Sequence, residues 1–122
     1  MALTKILRGQ LWEVDFEPQT HKEEPGKRNR PALVIQTDLL NKSGHQTTII
    51  VPGTTVVKRD DDYFPIRVAL VNQPGLTQET DLLIDQIRAI SNRRFLGNKP
   101  LAILSTNHLK RVEEALKLLT GR

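Results

Sequence analysis

Short segments of alternating or β-branched apolar residues recur along this chain, and a turn or loop signal separates each from the next. In the first, residues 10–16, the alternation puts Trp12, Val14 and Phe16 on one face, as in a half-buried strand. Further segments with strand character are residues 32–37, 46–52, 66–70 and 81–90. Short strands at roughly even spacing favour a small barrel over a βαβ sheet.

The hydrophobic period changes in the last segment. Ser105 and Thr106 are capping candidates, and Gly121 can end a helix. The apolar residues between them fall on one stripe of an amphipathic helix, namely Leu109, Val112, Leu116 and Leu119. We therefore predict a single, mainly β domain over residues 1–122, with a C-terminal α-helix.

Composition excludes several classes of protein. The 122 residues suffice for one core, and the absence of cysteine excludes a disulfide scaffold and a thiolate zinc site. The N-terminal residues lack the apolar run of a secretory signal, and no segment is long enough to span a membrane, so we expect a cytoplasmic protein. The net charge of +4 favours a polyanionic partner.

One pair of strands predicts a site. If residues 32–37 and 46–52 form a regular hairpin with Thr37 opposite Gln46, Arg30 lies opposite Gly53 and next to Thr54. A guanidinium beside a hydroxyl can receive a phosphate, because the first offers a planar fork of donors and the second a rotatable one. More cations flank this position: Lys27, Arg28, Lys58 and Arg59.

Four segments, in this order, resemble the MazF/PemK family of toxin endoribonucleases. They are residues 9–18 (GQLWEVDFEP), 30–35 (RPALVI), 51–55 (VPGTT) and 85–90 (DQIRAI). The resemblance implies an SH3-like barrel of the CcdB/MazF kind that forms a homodimer and needs no metal or other cofactor. It also implies sequence-selective cleavage of single-stranded RNA, such as mRNA, leaving a 2′,3′-cyclic phosphate and a 5′-hydroxyl.

The resemblance also assigns roles to residues. The family's catalytic arginine falls on Arg30, its catalytic threonine on Thr54, and its acidic loop residue on Glu23 or Glu24. The residues expected to contact the substrate are Phe16, Glu23, Glu24, Lys27, Arg28, Thr55, Lys58, Gln86 and Arg88. Gln10 departs from the family pattern, which commonly has Asp after the glycine.

Arg30 has two candidate roles in the reaction. It either stabilises negative charge on the phosphate oxygens, as guanidinium groups that stay protonated do, or shuttles a proton, as the family is often described. The resemblance further implies a separate antitoxin chain with an acidic, poorly ordered segment that competes with RNA.

Simpler interpretations stand beside these. Arg30 could form an ordinary ion pair with Glu23 or Glu24, and Thr54 and Thr55 could cap a turn. His21, His45 and His108 are better explained as solvated residues than as a nuclease pair. The acidic run at residues 60–62 is better explained as a solvated tip than as a magnesium site. The apolar residues 82–90 fit either a central strand or a dimer seam.

Two other functions compete with the nuclease. One is a non-catalytic toxin that resembles the CcdB gyrase poisons, and the other is a plain RNA-binding barrel with salt-dependent affinity. The Arg30-Pro31 and Pro52-Gly53-Thr54-Thr55 motifs weigh against the first alternative.

Overall fold

The computed structural model describes residues 6–16, 29–57 and 66–121. Most elements in these ranges are strands, and the longest helix comes last, so the predicted mainly β fold with a C-terminal α-helix is confirmed. In chain order they are β1 (Gln10–Asp15), β2 (Asn29–Val34), α1 (Asp38–Asn41), β3 (Thr47–Thr54), β4 (Arg67–Leu70), β5 (Thr80–Leu83), β6 (Arg88–Ser91), β7 (Ala102–Ile103) and α2 (Thr106–Leu119).

The strands form one antiparallel sheet whose centre is β3. Its order is β4-β5-β3-β2-β1-β7, and β6 also pairs with β3. The first half of β3 pairs with β6 and its last two residues pair with β5, so one side of this strand serves two successive partners. The sheet curls into a half-barrel around this strand.

Two clusters of buried side chains lie on opposite faces of the sheet. Helix α2 packs on the first cluster, which includes Leu11, Leu33, Val51 and Val112. The second cluster is built around Trp12 on the other face and also contains Val14, Phe16, Ala32, Val34, Ile50 and Ile90. Leu11 and Trp12 are neighbours in β1 that point to opposite faces and are both fully buried, so both faces of the strand are covered at this point.

The predicted hairpin of residues 32–37 and 46–52 is correct in its pairing and wrong in its connection. Strands β2 and β3 are antiparallel neighbours, but β2 runs from Asn29 to Val34 and ends before Thr37. Thr37 instead caps α1, where its hydroxyl oxygen accepts a hydrogen bond from the Leu39 amide. Gly44 follows this helix at φ +85°, a conformation that favours glycine.

The predicted strand over residues 81–90 is two strands. Between β5 and β6, a short 3-10 helix covers Ile84–Gln86. The residues of this turn do not pair with a neighbouring strand. They connect β5, which pairs with the end of β3, to β6, which pairs with the first half of β3. The apolar character on both faces of the segment is therefore real, but it arises from two strands in different parts of the sheet.

The predicted C-terminal helix is confirmed. The Ser105 hydroxyl caps α2 by accepting a hydrogen bond from the His108 amide, and Gly121 follows the helix at φ +81°. Val112 and Ala115 are buried under the helix, whereas Leu119 is more exposed than the stripe predicts. Arg8 ties this helix to the sheet, since it donates to Glu113 at 2.6 Å and to the Ile35 carbonyl oxygen.

Candidate functional site

The site lies on the face of the sheet that carries the Trp12 cluster. Arg30 is the register partner of Val14, and Arg88 is the register partner of Ile50. Directly opposed residues in antiparallel strands project to the same side. Because Val14 and Ile50 belong to the Trp12 cluster, Arg30 and Arg88 project to this face as well.

Both arginines contact the ring of Phe16. The guanidinium carbon of Arg30 lies 5.1 Å from the centre of this ring, and that of Arg88 lies 5.6 Å from it. The ring is only 4% exposed, so it supports the two cations from within the core. Strands β2 and β6 and the residue after β1 thus bring two positive charges to one aromatic ring, and this concentration of positive charge favours binding of an anion at this face.

The register between β2 and β3 places Arg30 across from Thr54. Ala32 pairs with Pro52, and a Cβ atom added to Gly53 would lie 3.3 Å from the backbone oxygen of Pro31. The two strands therefore remain adjacent up to this point, and one further residue on each leads to Arg30 and Thr54. The predicted register, with Arg30 opposite Gly53, is wrong by one residue, because it assumed that Thr37 pairs with Gln46, whereas Thr37 caps α1.

Thr54 is almost fully buried at 3% exposure. Its Oγ1 accepts a hydrogen bond of 3.1 Å from the Val56 amide. A hydroxyl has one proton and two acceptor positions, so accepting this bond leaves the proton available for donation to a ligand. Alternation along β3 puts Thr54 on the same face as Ile50, whereas Thr55 follows the end of the strand and is half-buried.

Gln86 and Arg88 flank the junction between the 3-10 helix and β6. Both side chains are exposed, and Arg88 is the first residue of the strand. The turn that divides β5 from β6 thus positions Arg88 beside Phe16. Gln86 is the last residue of the same 3-10 turn, and it is exposed.

Several predicted residues lie outside the described ranges. These are Glu23, Glu24, Lys27, Arg28 and Lys58, together with Arg59, His21 and the acidic run at residues 60–62. Their predicted contributions to substrate binding, or to solvated loops, stay predictions.

The two histidines within the described ranges lie apart from the site. His45 is exposed beyond α1, and the Nδ1 atom of His108 lies 3.1 Å from the hydroxyl of its helix cap, Ser105. Over residues 6–16, 29–57 and 66–121 there is no group of three carboxylate, histidine or cysteine side chains that could hold a metal ion. No helix in that part of the chain is long and apolar enough to cross a membrane.

Gln10, which departs from the family pattern, has a clear local role. Its Oε1 atom accepts hydrogen bonds from the Leu7 amide and from Nε1 of Trp12, both at 2.8 Å. This amide oxygen satisfies the indole nitrogen at the start of β1 and holds the preceding chain against the strand.

The ion pair of Arg67 and Asp81, beside Thr54, was not predicted from the sequence. Asp81 is the register partner of Thr54 across β3 and β5, and its side chain is fully buried. Its Oδ2 atom accepts a hydrogen bond of 2.9 Å from Arg67. The sequence carried no clear signal for this pair, because Asp81 directly follows the polar residues 78–80 and its burial is evident only in the fold.

These features define a class of protein: a curled antiparallel half-barrel with a C-terminal helix and a cluster of arginines beside a threonine. The sequence model of the family described as PemK-like, MazF-like toxins of type II toxin-antitoxin systems matches residues 7–120. The chain belongs to this family, as the sequence motifs predicted. A comparison with curated protein sequences finds no match.

Solved structures are similar to the chain over nearly its whole length. MazF from Deinococcus radiodurans has 27% sequence identity and a TM-score of 0.74, with 96% of this chain and 97% of that chain covered. A MazE-MazF complex from the same organism has 24% identity and a TM-score of 0.69, covering 95% and 96%. A mycobacterial endoribonuclease in complex with its cognate antitoxin has 20% identity and a TM-score of 0.71, covering 95% of each chain.

Proposed function

We propose that this protein is the toxin of a type II toxin-antitoxin pair and acts as a sequence-selective endoribonuclease on single-stranded RNA. The observation that carries the proposal is the convergence of Arg30 and Arg88 on Phe16, with Thr54 across from Arg30 on the same face. Family membership supports the toxin class, and one of the similar structures is a mycobacterial endoribonuclease.

In the proposed reaction, the ribose 2′-oxygen attacks the adjacent phosphorus and loses its proton to solvent. The bond from phosphorus to the 5′-oxygen breaks, and this oxygen takes up a proton from solvent. The products are a 2′,3′-cyclic phosphate and a 5′-hydroxyl. Arg30 stabilises the charge that gathers on the non-bridging oxygens, and Thr54 donates its hydroxyl proton to one of them.

Arg88 supplies a second positive charge at this face. Its exposed guanidinium suits a neighbouring phosphate of the extended RNA chain, where it would fix the register of the substrate. In this proposal Phe16 contributes to RNA binding indirectly, by holding the two guanidinium groups. The cations supply the charge stabilisation that the reaction needs, and we therefore propose cleavage without a metal ion.

The functional unit in this proposal is a cytoplasmic homodimer. Ile49 and Ile87 are 36% and 38% exposed, and Ile49 pairs with the exposed Ala89 across β3 and β6. These apolar residues project to the opposite face from Arg88, so a dimer seam there would leave the arginine at the edge of a groove shared by two subunits.

The proposed partner is a separate antitoxin chain. Its acidic, poorly ordered segment would lie along the cationic face and compete with RNA for Arg30 and Arg88. One similar structure is a complex of MazE with MazF, which supports an antitoxin partner for this chain.

The test is cleavage of a long single-stranded RNA in EDTA, followed by mapping of the ends. Discrete cuts with 5′-hydroxyl ends are expected, and a 2′-deoxy substitution at the cut site should abolish cleavage there, because the attacking oxygen is removed. Binding that weakens with salt but yields no products would instead identify a plain RNA-binding protein. Intact RNA combined with inhibited gyrase would identify a gyrase poison.

A further inference from the structure

The buried ion pair of Arg67 and Asp81 is connected to Thr54 through the turn that follows β3. The Nη1 atom of Arg67 donates to Oδ2 of Asp81 at 2.9 Å and to the carbonyl oxygen of Val56 at 3.0 Å. The amide of the same Val56 donates to Oγ1 of Thr54. Both backbone groups of Val56 are therefore held, one by the arginine and the other by the threonine.

The sheet brings Asp81 to this position from the opposite side. It pairs with Thr54 in the register of β3 and β5 and with Ala69 in the register of β4 and β5. Directly opposed side chains have Cβ atoms about 4.5 to 5.5 Å apart, so the carboxylate lies next to the threonine. It is fully buried, whereas the side chain of Arg67 is 18% exposed.

A lone buried carboxylate beside Thr54 would harm a phosphate site. It would repel the anion, and its own desolvation would be unfavourable. Arg67 neutralises this charge, and its Nη1 atom, which carries two N–H groups, binds the carboxylate and a carbonyl oxygen together. Asp81 in turn fixes the guanidinium, which then holds the Val56 carbonyl in one place.

We infer that Arg67 and Asp81 are positioning residues that hold the Val56 turn and thereby orient the hydroxyl of Thr54 towards the reacting phosphate. This inference rests on the proposed nuclease function. It adds to that function a buried support that contacts no substrate. The Val56 side chain itself is exposed, so the turn depends on hydrogen bonds rather than on side-chain packing for its conformation.

The first test measures the turn without reference to activity. In Arg67→Lys the charge next to Asp81 is kept, but the lysine side chain is shorter and its ammonium does not reach the position of Nη1, from which both hydrogen bonds are made. Amide hydrogen exchange of Val56, followed by NMR, should become several-fold faster in this variant. The amide of Ile35, which donates to the Ile49 carbonyl oxygen at 3.1 Å, should exchange as in the wild type. Unchanged exchange at Val56 would overturn the inference.

The second test measures catalysis under single-turnover conditions with saturating RNA. Arg67→Lys should lower the cleavage rate by about 10- to 100-fold, as small misplacements of a reacting group do. Its affinity for an RNA with 2′-O-methyl groups, which is not cleaved, should change much less. The variant Arg67→Gln/Asp81→Asn keeps the local net charge and should show the same rate loss, which separates positioning from charge. Arg111→Gln, on the exposed surface of α2, is the matched control and should cleave normally.

The third test asks whether Arg67 acts through Thr54, and it uses the Thr54→Ala variant as the starting protein. If Arg67 acts through Thr54, then adding Arg67→Lys to Thr54→Ala lowers the cleavage rate no further. An additional loss as large as that in the wild-type background would show a general structural role and would overturn the inference. If the wild type cleaves no RNA at all, the proposed function fails, and the exchange of the Val56 amide alone then decides whether the turn is held by Arg67.

Discussion

The Phe16 ring packs against Arg30 from the core side of the sheet: the Arg30 guanidinium carbon lies 5.1 Å from the centre of this ring, and Phe16 is 4% exposed. The ring occupies the core side of the guanidinium. Arg88 approaches the same ring from β6 at 5.6 Å. A single buried aromatic residue thus sets the position of two cations from different strands.

Replacing Phe16 by leucine should impair cleavage more than it impairs folding. Each cation–π contact is worth about 0.5 to 1 kcal/mol, so loss of both should lower kcat/KM by about 5- to 30-fold. The control is Phe95→Leu in the same cluster, since the Phe95 ring packs edge-on against Trp12 at 5.8 Å. Equal losses of activity in the two variants would argue against a specific role for the Phe16 ring.

Gly53→Ala should disturb the packing of the β3 backbone next to Thr54. The added Cβ atom would lie 2.9 Å from Cγ2 of Thr80 in β5 and 3.3 Å from the Pro31 oxygen in β2, so the Thr80 side chain must move and the contact of β3 with β2 must loosen by a few tenths of an ångström. We expect a cleavage rate at least about 10-fold lower in a protein that still folds, because small displacements at a reacting centre are costly.

Gly44→Ala is the matched control for this change. Gly44 has φ +85° and nothing within 4 Å of an added Cβ, so the substitution should cost only about 1 kcal/mol of stability through the backbone. Cleavage by this variant, measured below its melting temperature, should equal that of the wild type. A Gly53→Ala protein that cleaves as fast as Gly44→Ala would contradict the close contact of β2 with β3.

Asp38 should make the fold sensitive to acid. Partial burial raises the pKa of this carboxyl, but hydrogen bonds from the Arg8 amide and the Asn41 side chain, with the charges of Lys42 and Arg8, outweigh it and lower the pKa below its usual value of 3.8. A lowered pKa in the folded state contributes stability above the unfolded pKa, and this contribution is lost as the pH falls through the folded value.

Asp38→Asn should therefore lower the free energy of unfolding at pH 7 and make it less dependent on pH below about 4. Urea titrations at a series of pH values measure this directly. Asp85→Asn, at an exposed position, is the control and should leave the acid dependence in place. If Asp38→Asn retains the full acid dependence of the wild type, the assignment of this effect to Asp38 is wrong.

The pH profile of cleavage tests the role of Arg30. Neither a guanidinium nor an aliphatic hydroxyl changes charge between about pH 6 and 8, so charge stabilisation by Arg30 and Thr54 predicts that the logarithm of the single-turnover rate varies linearly with pH, without an inflection, in this range. A bell-shaped profile would instead indicate a titrating partner, for which His21, Glu23 and Glu24 are the candidates.

Local pattern was sufficient to predict much of this fold. The alternation at Trp12, Val14 and Phe16 predicted β1, and the stripe through Leu109 and Val112 predicted α2. Both patterns are strong because the Trp12 face of β1 and one stripe of α2 each pack into a hydrophobic cluster. The proximity of Arg30 and Thr54 also followed from the sequence, since a hairpin-like pairing brings its open ends together whatever joins its closed end.

Other features depend on contacts that local pattern does not encode. Helix α1 is four residues long, too short to show a hydrophobic period, and missing it displaced the β2–β3 register by one residue. The partnership of Arg67 with Asp81 spans two strands, so no spacing in the sequence indicates it. The place of Phe16 beneath two arginines likewise required the curl of the sheet, which brings β6 towards the end of β1.

The most direct test of the central claim is single-turnover cleavage of single-stranded RNA in EDTA by the wild type, Arg30→Ala, Thr54→Ala and the double variant. We expect each single variant to lose about 10²- to 10³-fold in rate while its melting temperature and RNA affinity change little. The double variant should lose less than the product of the two, because both groups act on the same phosphate. Full activity in either single variant would contradict the claim that this arginine and this threonine form the catalytic site.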